Sequence, residues 1–283
     1  MTPTEQIVEL LSKYPSEGKA VRIFQNKPDG GRRPITKPNK SLNKWLKHMN
    51  KILSKQFNGW PLFMHGGIKK RSYVSYAKPH VMQQCLITID IRKCFDSIST
   101  NDIASSLEEH LKLPRDVCID LASKLCYRCK LAQGFATSNY ISNLYLLNPL
   151  TLLFNDLQKE GIVFTNYVDD LAISGDLERT DEIINLVAVS LSRAKLAINK
   201  AKIKVMPSTG QQIICGLIVN RRLSLTRALK LKLLSDVANN RISQSSAEGW
   251  ISNLNSFDKK FRDKFYKFAI KKGLIKTKAR KYK

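Results

Sequence analysis

The chain has 283 residues, 43% of them hydrophobic, which excludes a wholly disordered segment and predicts one large domain or two closely joined ones. Lys and Arg number 48 against 23 Asp and Glu, and the formal charge of +25 points to a polyanionic partner, nucleic acid before an anionic membrane. No apolar run is long enough to span a bilayer, and the N-terminal MTPTEQIVELLSKYPSEG does not read as a signal peptide. Six Cys in this length exclude a disulfide scaffold, and Cys126-Tyr-Arg-Cys129 is a CxxC without a second pair, so zinc is not expected. The expectation at this level is a reduced, cytoplasmic, nucleic-acid-binding protein with no membrane partner. Nothing in the composition alone says enzyme.

In chain order, Glu5 to Leu11 forms a short helix, followed by a loop rich in Gly, Pro and basic residues, KPDGGRRPITKPNK. Ser41 is the expected N-cap of a helix that carries Leu42, Trp45, Leu46, Met49, Ile52 and Leu53 at helical spacing. Leu86 to Asp90 reads as a buried strand ending in a carboxylate. Ser99 and Asp102 make a capping-box start for a helix with Ile103, Leu107 and Leu111, and Pro114 suits the first turn of the next helix. Residues 138–157 are helical, interrupted or kinked at Pro149.

The segment FTNYVDDLAIS (164–174) predicts a hairpin with Asp169 and Asp170 at its tip. Asp181 and Glu182 open a helix with Ile184, Val187, Leu191 and Ala194 on one face. KIKVM and QQIICGLIV read as strands, and from Ala228 the pattern is helical, with Phe257, Phe261, Phe265 and Phe268 forming a stripe. The mixture is α+β.

Three acids stand apart. Asp90 ends an apolar strand, and Asp169 and Asp170 lie between two more, where a carboxylate is costly to bury without a cation or proton. Three carboxylates on neighbouring strands are suited to two Mg²⁺ ions (Mn²⁺ as a substitute), about 4 Å apart, for in-line phosphoryl displacement.

In order and spacing, DIRKCFDSI (90–98), QGFATSNYISNL (133–144) and YVDD (167–170) resemble the palm motifs of reverse transcriptases. Arg33-Pro-Ile-Thr-Lys-Pro38 is similar to the fingers motif that meets the incoming triphosphate, Asn199-Lys-Ala-Lys202 to the fourth palm motif, and ICGLIVN (214–220) to the primer-grip hairpin. Tyr76-Ala77-Lys78-Pro79-His80 resembles the Asn-Ala-x-x-His signature of retron enzymes with Tyr76 in place of Asn, and Ile214-Cys215-Gly216 their Val-Thr-Gly triplet with Cys215 in place of Thr. Ala132, Ala136 and Asn139 stand where family members usually have Pro.

The resemblance implies an α+β right-hand polymerase: an N-terminal segment and fingers over 1–85, a palm of antiparallel sheet and helices with interleaved fingers elements over 86–213, and a primer-grip hairpin with a basic helical thumb over 214–283. It leaves no chain for an RNase H or endonuclease domain. It implies Asp90, Asp169 and Asp170 as metal ligands, Lys202 as the acid that protonates pyrophosphate, and Arg33 as the triphosphate grip. Phe95 would be the aromatic gate that excludes a 2′-hydroxyl. Gln133 and Gly134 would pack on the nascent base pair, with Gly suited to close backbone approach. Cys215 and Gly216, with Lys264, Lys267, Lys271 and Lys272, would contact nucleic acid. The stretch 259–283 holds twelve Lys or Arg against one acid, Asp263, interleaved with the Phe stripe.

The implied partners are dNTPs, a cognate structured non-coding RNA, its RNA–DNA product and an effector protein encoded nearby, in bacterial defence against phage. Priming would start from an RNA 2′-hydroxyl. Alternatives are another stand-alone bacterial reverse transcriptase, of phage-defence or group II intron type, and an RNA-binding protein with a decayed palm. Against the last, all three Asp and Phe95 are present. His80 reads as structural rather than catalytic, and under the retron resemblance it would support RNA binding or local architecture.

Overall fold

The computed structural model describes residues 2–26, 30–176 and 178–275, and the expected basic segment past residue 275 lies outside them. A four-stranded antiparallel sheet forms its centre, in the order Val163–Tyr167, Asp170–Gly175, Cys85–Asp90, Lys204–Pro207. Cys85–Asp90 is nearly continuous in apolar character because it is a central strand covered on both faces. Its register with Asp170–Gly175 pairs Ile87 with Ile173, Ile89 with Leu171 and Asp90 with Asp170. The pairing therefore carries two of the three acids to the same end of the sheet.

The helix Ser138–Lys159 packs against this sheet and buries Tyr140, Ile141, Leu144, Leu146, Leu147, Leu150, Leu153 and Leu157. It runs unbroken through Pro149, so the expected interruption is absent. Thr100–Leu111 has the expected Ser99–Asp102 capping box, and Pro114 precedes Arg115–Leu125 as its N-cap. In Thr180–Arg193 the inward residue is Ile183, with Ile184 only half-buried, a shift of one position around the helix.

The antiparallel hairpin Ala20–Asn26/Arg32–Pro38 precedes the helix Lys40–Gln56. The six apolar residues expected on that helix are all buried. Its N-cap is Asn39, not Ser41: the Asn39 Oδ1 accepts from the Leu42 amide at 3.0 Å, and Ser41 lies within the first turn.

A second apolar cluster joins the back of the sheet, through Leu86 and Ala172, to the C-terminal third of the chain. There the strands are shorter than expected, Ile213–Ile214, Leu217–Ile218 and Ser224–Leu225, and three helices follow: Arg227–Ala238, Gln244–Leu254 and Lys259–Lys271. Phe261 and Phe265 are buried in this cluster. Phe257 precedes the last helix, whose N-cap Asp258 accepts from the Phe261 amide and pairs with Lys230 at 2.7 Å. Among the described residues no helix is long and apolar enough to cross a membrane.

Candidate active site

Val163–Tyr167 and Asp170–Gly175 pair through Tyr167 and Asp170, leaving a two-residue turn of Val168 and Asp169. Val168 has φ +59°, a conformation that β-branched residues rarely adopt. Neighbours impose it. Asn166 Nδ2 donates to the Val168 carbonyl at 2.9 Å, and Gly66 packs beneath, where a Cβ would lie 2.4 Å from Val168 Cγ2. Gly66 is held in turn by Asn143, whose Nδ2 donates to its carbonyl at 2.6 Å, and the His65 amide donates to the Asn166 carbonyl at 2.8 Å. The roles of Asn166, Gly66 and Asn143 are not legible in the sequence, because an Asn or Gly carries no signal of what lies across the fold from it.

The turn places the Asp169 carbonyl where it accepts the Ile91 amide at 2.8 Å, locking it to the residue after Asp90. Both Asp90 carboxylate oxygens are engaged: Lys202 Nζ donates to Oδ1 at 2.9 Å and Asn199 Nδ2 to Oδ2 at 3.1 Å. Burial raises the pKa of Asp169, and the charge of Asp90 adds to the rise. Asp170 is pushed up to about 6, first by burial and then by the charges of Asp169 and Asp90. Lys202 and Arg33 act on both in the opposite sense. The end of the sheet is thus a half-buried concentration of negative charge that two nearby cations only partly offset.

A cleft of about 510 Å³ opens on these acids. It is lined by every residue the sequence assigned to catalysis or nucleotide contact: Arg33, Asp90, Phe95, Gln133, Gly134, Asp169, Asp170 and Lys202. Gly134 has φ +119°, and a Cβ on it would sit 2.7 Å from Ile35 Cγ2 and from the Thr36 carbonyl. The Thr36 amide donates to the Gln133 carbonyl at 2.7 Å, so this loop is docked on the strand that carries Arg33. Phe95 is 9% exposed at the cleft wall, and Arg22 pairs with Asp96 at 3.0 Å to tie the hairpin to the same wall.

Cys215 and Gly216 form the tight turn between two short strands with φ +47° and +79°, which a two-residue hairpin requires. Cys215 is exposed, yet desolvation and then the charges of Asp170 and Asp169 push its thiol up to about 12, so the turn lies within electrostatic reach of the acids. Lys264, Lys267 and Lys271 are exposed on the side of the last helix away from Phe261 and Phe265, Lys272 is exposed at its C-cap, and none of the four is part of the cleft lining.

Hard carboxylate oxygens in a half-buried, mutually repelling set fit divalent cations. Among the described residues, however, no three His, Cys, Asp or Glu side chains converge as a cation cage, and both oxygens of Asp90 are taken by Lys202 and Asn199. His80 has no part in the cleft. It is fully buried, its Nδ1 2.6 Å from Ser174 Oγ and its Nε2 2.7 Å from Thr165 Oγ1.

The reverse transcriptase (RNA-dependent DNA polymerase) family matches residues 25–247. The chain is 30% identical over 174 residues to the retron Se72 reverse transcriptase of Salmonella heidelberg, covering 60% of this chain and 46% of that one. It is 28% identical over 219 residues to the retron Ec48 reverse transcriptase of Escherichia coli, covering 73% and 53%. The chain therefore spans about half the length of these two relatives. Among solved structures it resembles telomerase from Candida albicans in complex with a fragment of telomeric RNA (TM-score 0.53, 13% identity, 95% of this chain and 64% of that one). Truncated apo telomerase from Candida tropicalis is similar, at TM-score 0.51, 13% identity, 79% and 60%. These likenesses place the architecture in the right-hand polymerase fold. With its acids, its cleft and its family match in agreement, the chain belongs to the reverse transcriptases, the RNA-dependent DNA polymerases, and is similar to those of bacterial retrons.

Proposed function

We propose that the chain is an RNA-directed DNA polymerase that copies part of a cognate structured non-coding RNA into a short DNA, msDNA, starting from an RNA 2′-hydroxyl. The observation that supports this most is the pairing of Asp90 with Asp170 beside the Asp169 turn, at the floor of a cleft that also holds Arg33, Phe95, Gln133 and Gly134. When bound, two Mg²⁺ ions, or Mn²⁺ in their place, would lower the pKa of the attacking hydroxyl and neutralise the leaving pyrophosphate. Asp90, Asp169 and Asp170 are the residues that would hold them.

Arg33 presents a planar guanidinium to the triphosphate. Lys202 gives a proton to pyrophosphate, within reach because its ammonium rests 2.9 Å from Asp90. Phe95 fills the volume a 2′-hydroxyl would need, and the docked Gln133–Gly134 loop packs on the new base pair. The Cys215–Gly216 turn supports the primer terminus, and the lysines of the last helix hold the RNA–DNA duplex. In this reading fingers, palm and thumb occupy 1–85, 86–213 and 214–283. The protein works in the bacterial cytoplasm, in defence against phage, with an effector encoded nearby.

Asp169→Asn tests the reading, because it removes a charge without changing volume. Removing one metal ligand costs several kcal/mol of transition-state stabilisation. The expected result is loss of Mg²⁺-dependent dTTP incorporation on poly(rA)–oligo(dT), with folding and RNA binding retained. Near-normal synthesis by this variant would overturn the assignment.

A further inference from the structure

The helix Lys40–Gln56 contains no acid, and it carries Lys40, Lys44, Lys47, Lys51 and Lys55, all exposed. At 3.6 residues and 5.4 Å per turn these five fall within an arc of about 80° and run for about 22 Å along the axis. The arc is opposite the face that buries Leu42, Trp45, Leu46, Met49, Ile52 and Leu53.

Two features distinguish this stripe from an ordinary solvated face. Several lysines on other helices pair along their own helix, as Lys13 with Glu9, Lys124 with Asp120, Lys159 with Asp156 and Lys232 with Asp236. Among the described residues none of the five has an acid within ion-pair distance; they face one another instead at spacings of three and four. Like charges at those spacings oppose helix formation, and Lys40, in the first turn, also meets the positive end of the helix dipole. A bound polyanion would relieve both.

The stripe also continues a basic path that starts in the cleft. Arg33 lines the cleft, Lys37 is exposed near the end of the same strand, and Lys40 opens the helix just past that strand.

We infer that this lysine face is a second nucleic-acid surface, a rail for the phosphate backbone of the RNA template outside the cleft. The inference rests on the polymerase reading for the identity of that strand. A lipid surface is the weaker fit, because an interfacial helix inserts its apolar face and here that face is committed to the core. The rail reads charge alone, so it is indifferent to sequence and sensitive to salt. Single-stranded RNA touching all five lysines contributes roughly 3.5 to the log–log salt slope, at about 0.7 per phosphate.

The test compares the full chain with its Lys40, Lys44, Lys47, Lys51 and Lys55→Gln variant by fluorescence anisotropy across a NaCl series, without nucleotides. The probes are a blunt RNA–DNA duplex and the same duplex with a single-stranded 5′ RNA extension. The wild type should bind the extended probe more tightly and with a steeper slope. The variant should lose most of that difference, bind the blunt duplex unchanged, and melt no lower than wild type. Equal binding of the extended probe by both proteins would overturn the rail. So would parallel losses on both probes, or a loss seen only with phosphatidylserine vesicles. Failure of the wild type to extend a primer would instead sink the polymerase reading and leave the binding result standing.

Discussion

At the scale of single residues, the site depends on a turn that its own sequence disfavours. Val168 is held at φ +59° by a hydrogen bond from Asn166 and by contact with Gly66, and this conformation carries the neighbouring Asp169 to the end of the sheet. A non-Gly residue in such a region costs on the order of 1–3 kcal/mol and persists only while its surroundings over-determine it. Asn166→Ala should therefore let the turn relax and lower kcat for nucleotide incorporation about tenfold or more, since small displacements of catalytic groups are costly. Adding Val168→Gly should restore part of that loss, because Gly occupies positive φ freely. A double variant no more active than Asn166→Ala would show that Asn166 does not act through the turn. That the three Asp, Arg33, Phe95, Gln133, Gly134 and Lys202 come together in one cleft was legible in the sequence, because motif order grouped them. Asn143, Asn166 and Gly66 were not, since their roles exist only once distant strands and loops meet.

At the scale of elements, His80 shows how the short segment Lys78–His80 is tied to the central sheet. Its ring bridges Thr165 on one strand of the hairpin that carries Asp169 and Asp170 and Ser174 on the other, and Thr165 Oγ1 donates onward to the Tyr76 carbonyl at 3.1 Å. Thr165 must then accept from His80 Nε2–H, which leaves Nδ1 to accept from Ser174. Burial is the main cause that lowers the His80 pKa from 6.5 to about 3. A folded pKa below the unfolded one means that the unfolded chain binds the proton first as pH falls. Stability from His80 is thus complete above about pH 6.5 and declines between 6.5 and 3, by about 2 kcal/mol at pH 5. His65, lowered to about 4 chiefly by burial, adds in the same sense, whereas Asp170, raised to about 6, opposes it. Urea denaturation at pH 7.5 and pH 5 should show a smaller acid loss in His80→Gln than in wild type, by about 2 kcal/mol, though the variant is less stable at both. An unchanged pH dependence would mean the ring is protonated in the fold. Elements with strong periodicity, such as Lys40–Gln56 and Thr100–Leu111, were readable from pattern alone. The two-residue strands were not, because bridges that short are set by tertiary contacts rather than by propensity.

At the scale of the whole molecule, charge and apolar packing divide the labour in the C-terminal helices. Phe261, Phe265 and Ala269 anchor the helix Lys259–Lys271 in the second apolar cluster, while Lys264, Lys267 and Lys271 stand exposed on the other side and Lys272 is exposed at its C-cap. Asp263 pairs with Arg262, so these four lysines face solvent without an acid partner among the described residues. Changing all four to Gln removes charge without touching the buried Phe residues, so the melting temperature should barely move, in line with the small effect of most surface substitutions. Binding to an RNA–DNA duplex should weaken, and the slope of log K against log salt should flatten by roughly 0.7 to 0.9 for each phosphate that is no longer neutralised. Because this set lies outside the cleft, primer extension at low salt and saturating duplex should retain its kcat while the apparent affinity for duplex falls. The duplex-binding role fails if the slope is unchanged. If kcat falls with affinity intact, the four lysines act on the chemistry, and the separation of grip from catalysis is wrong.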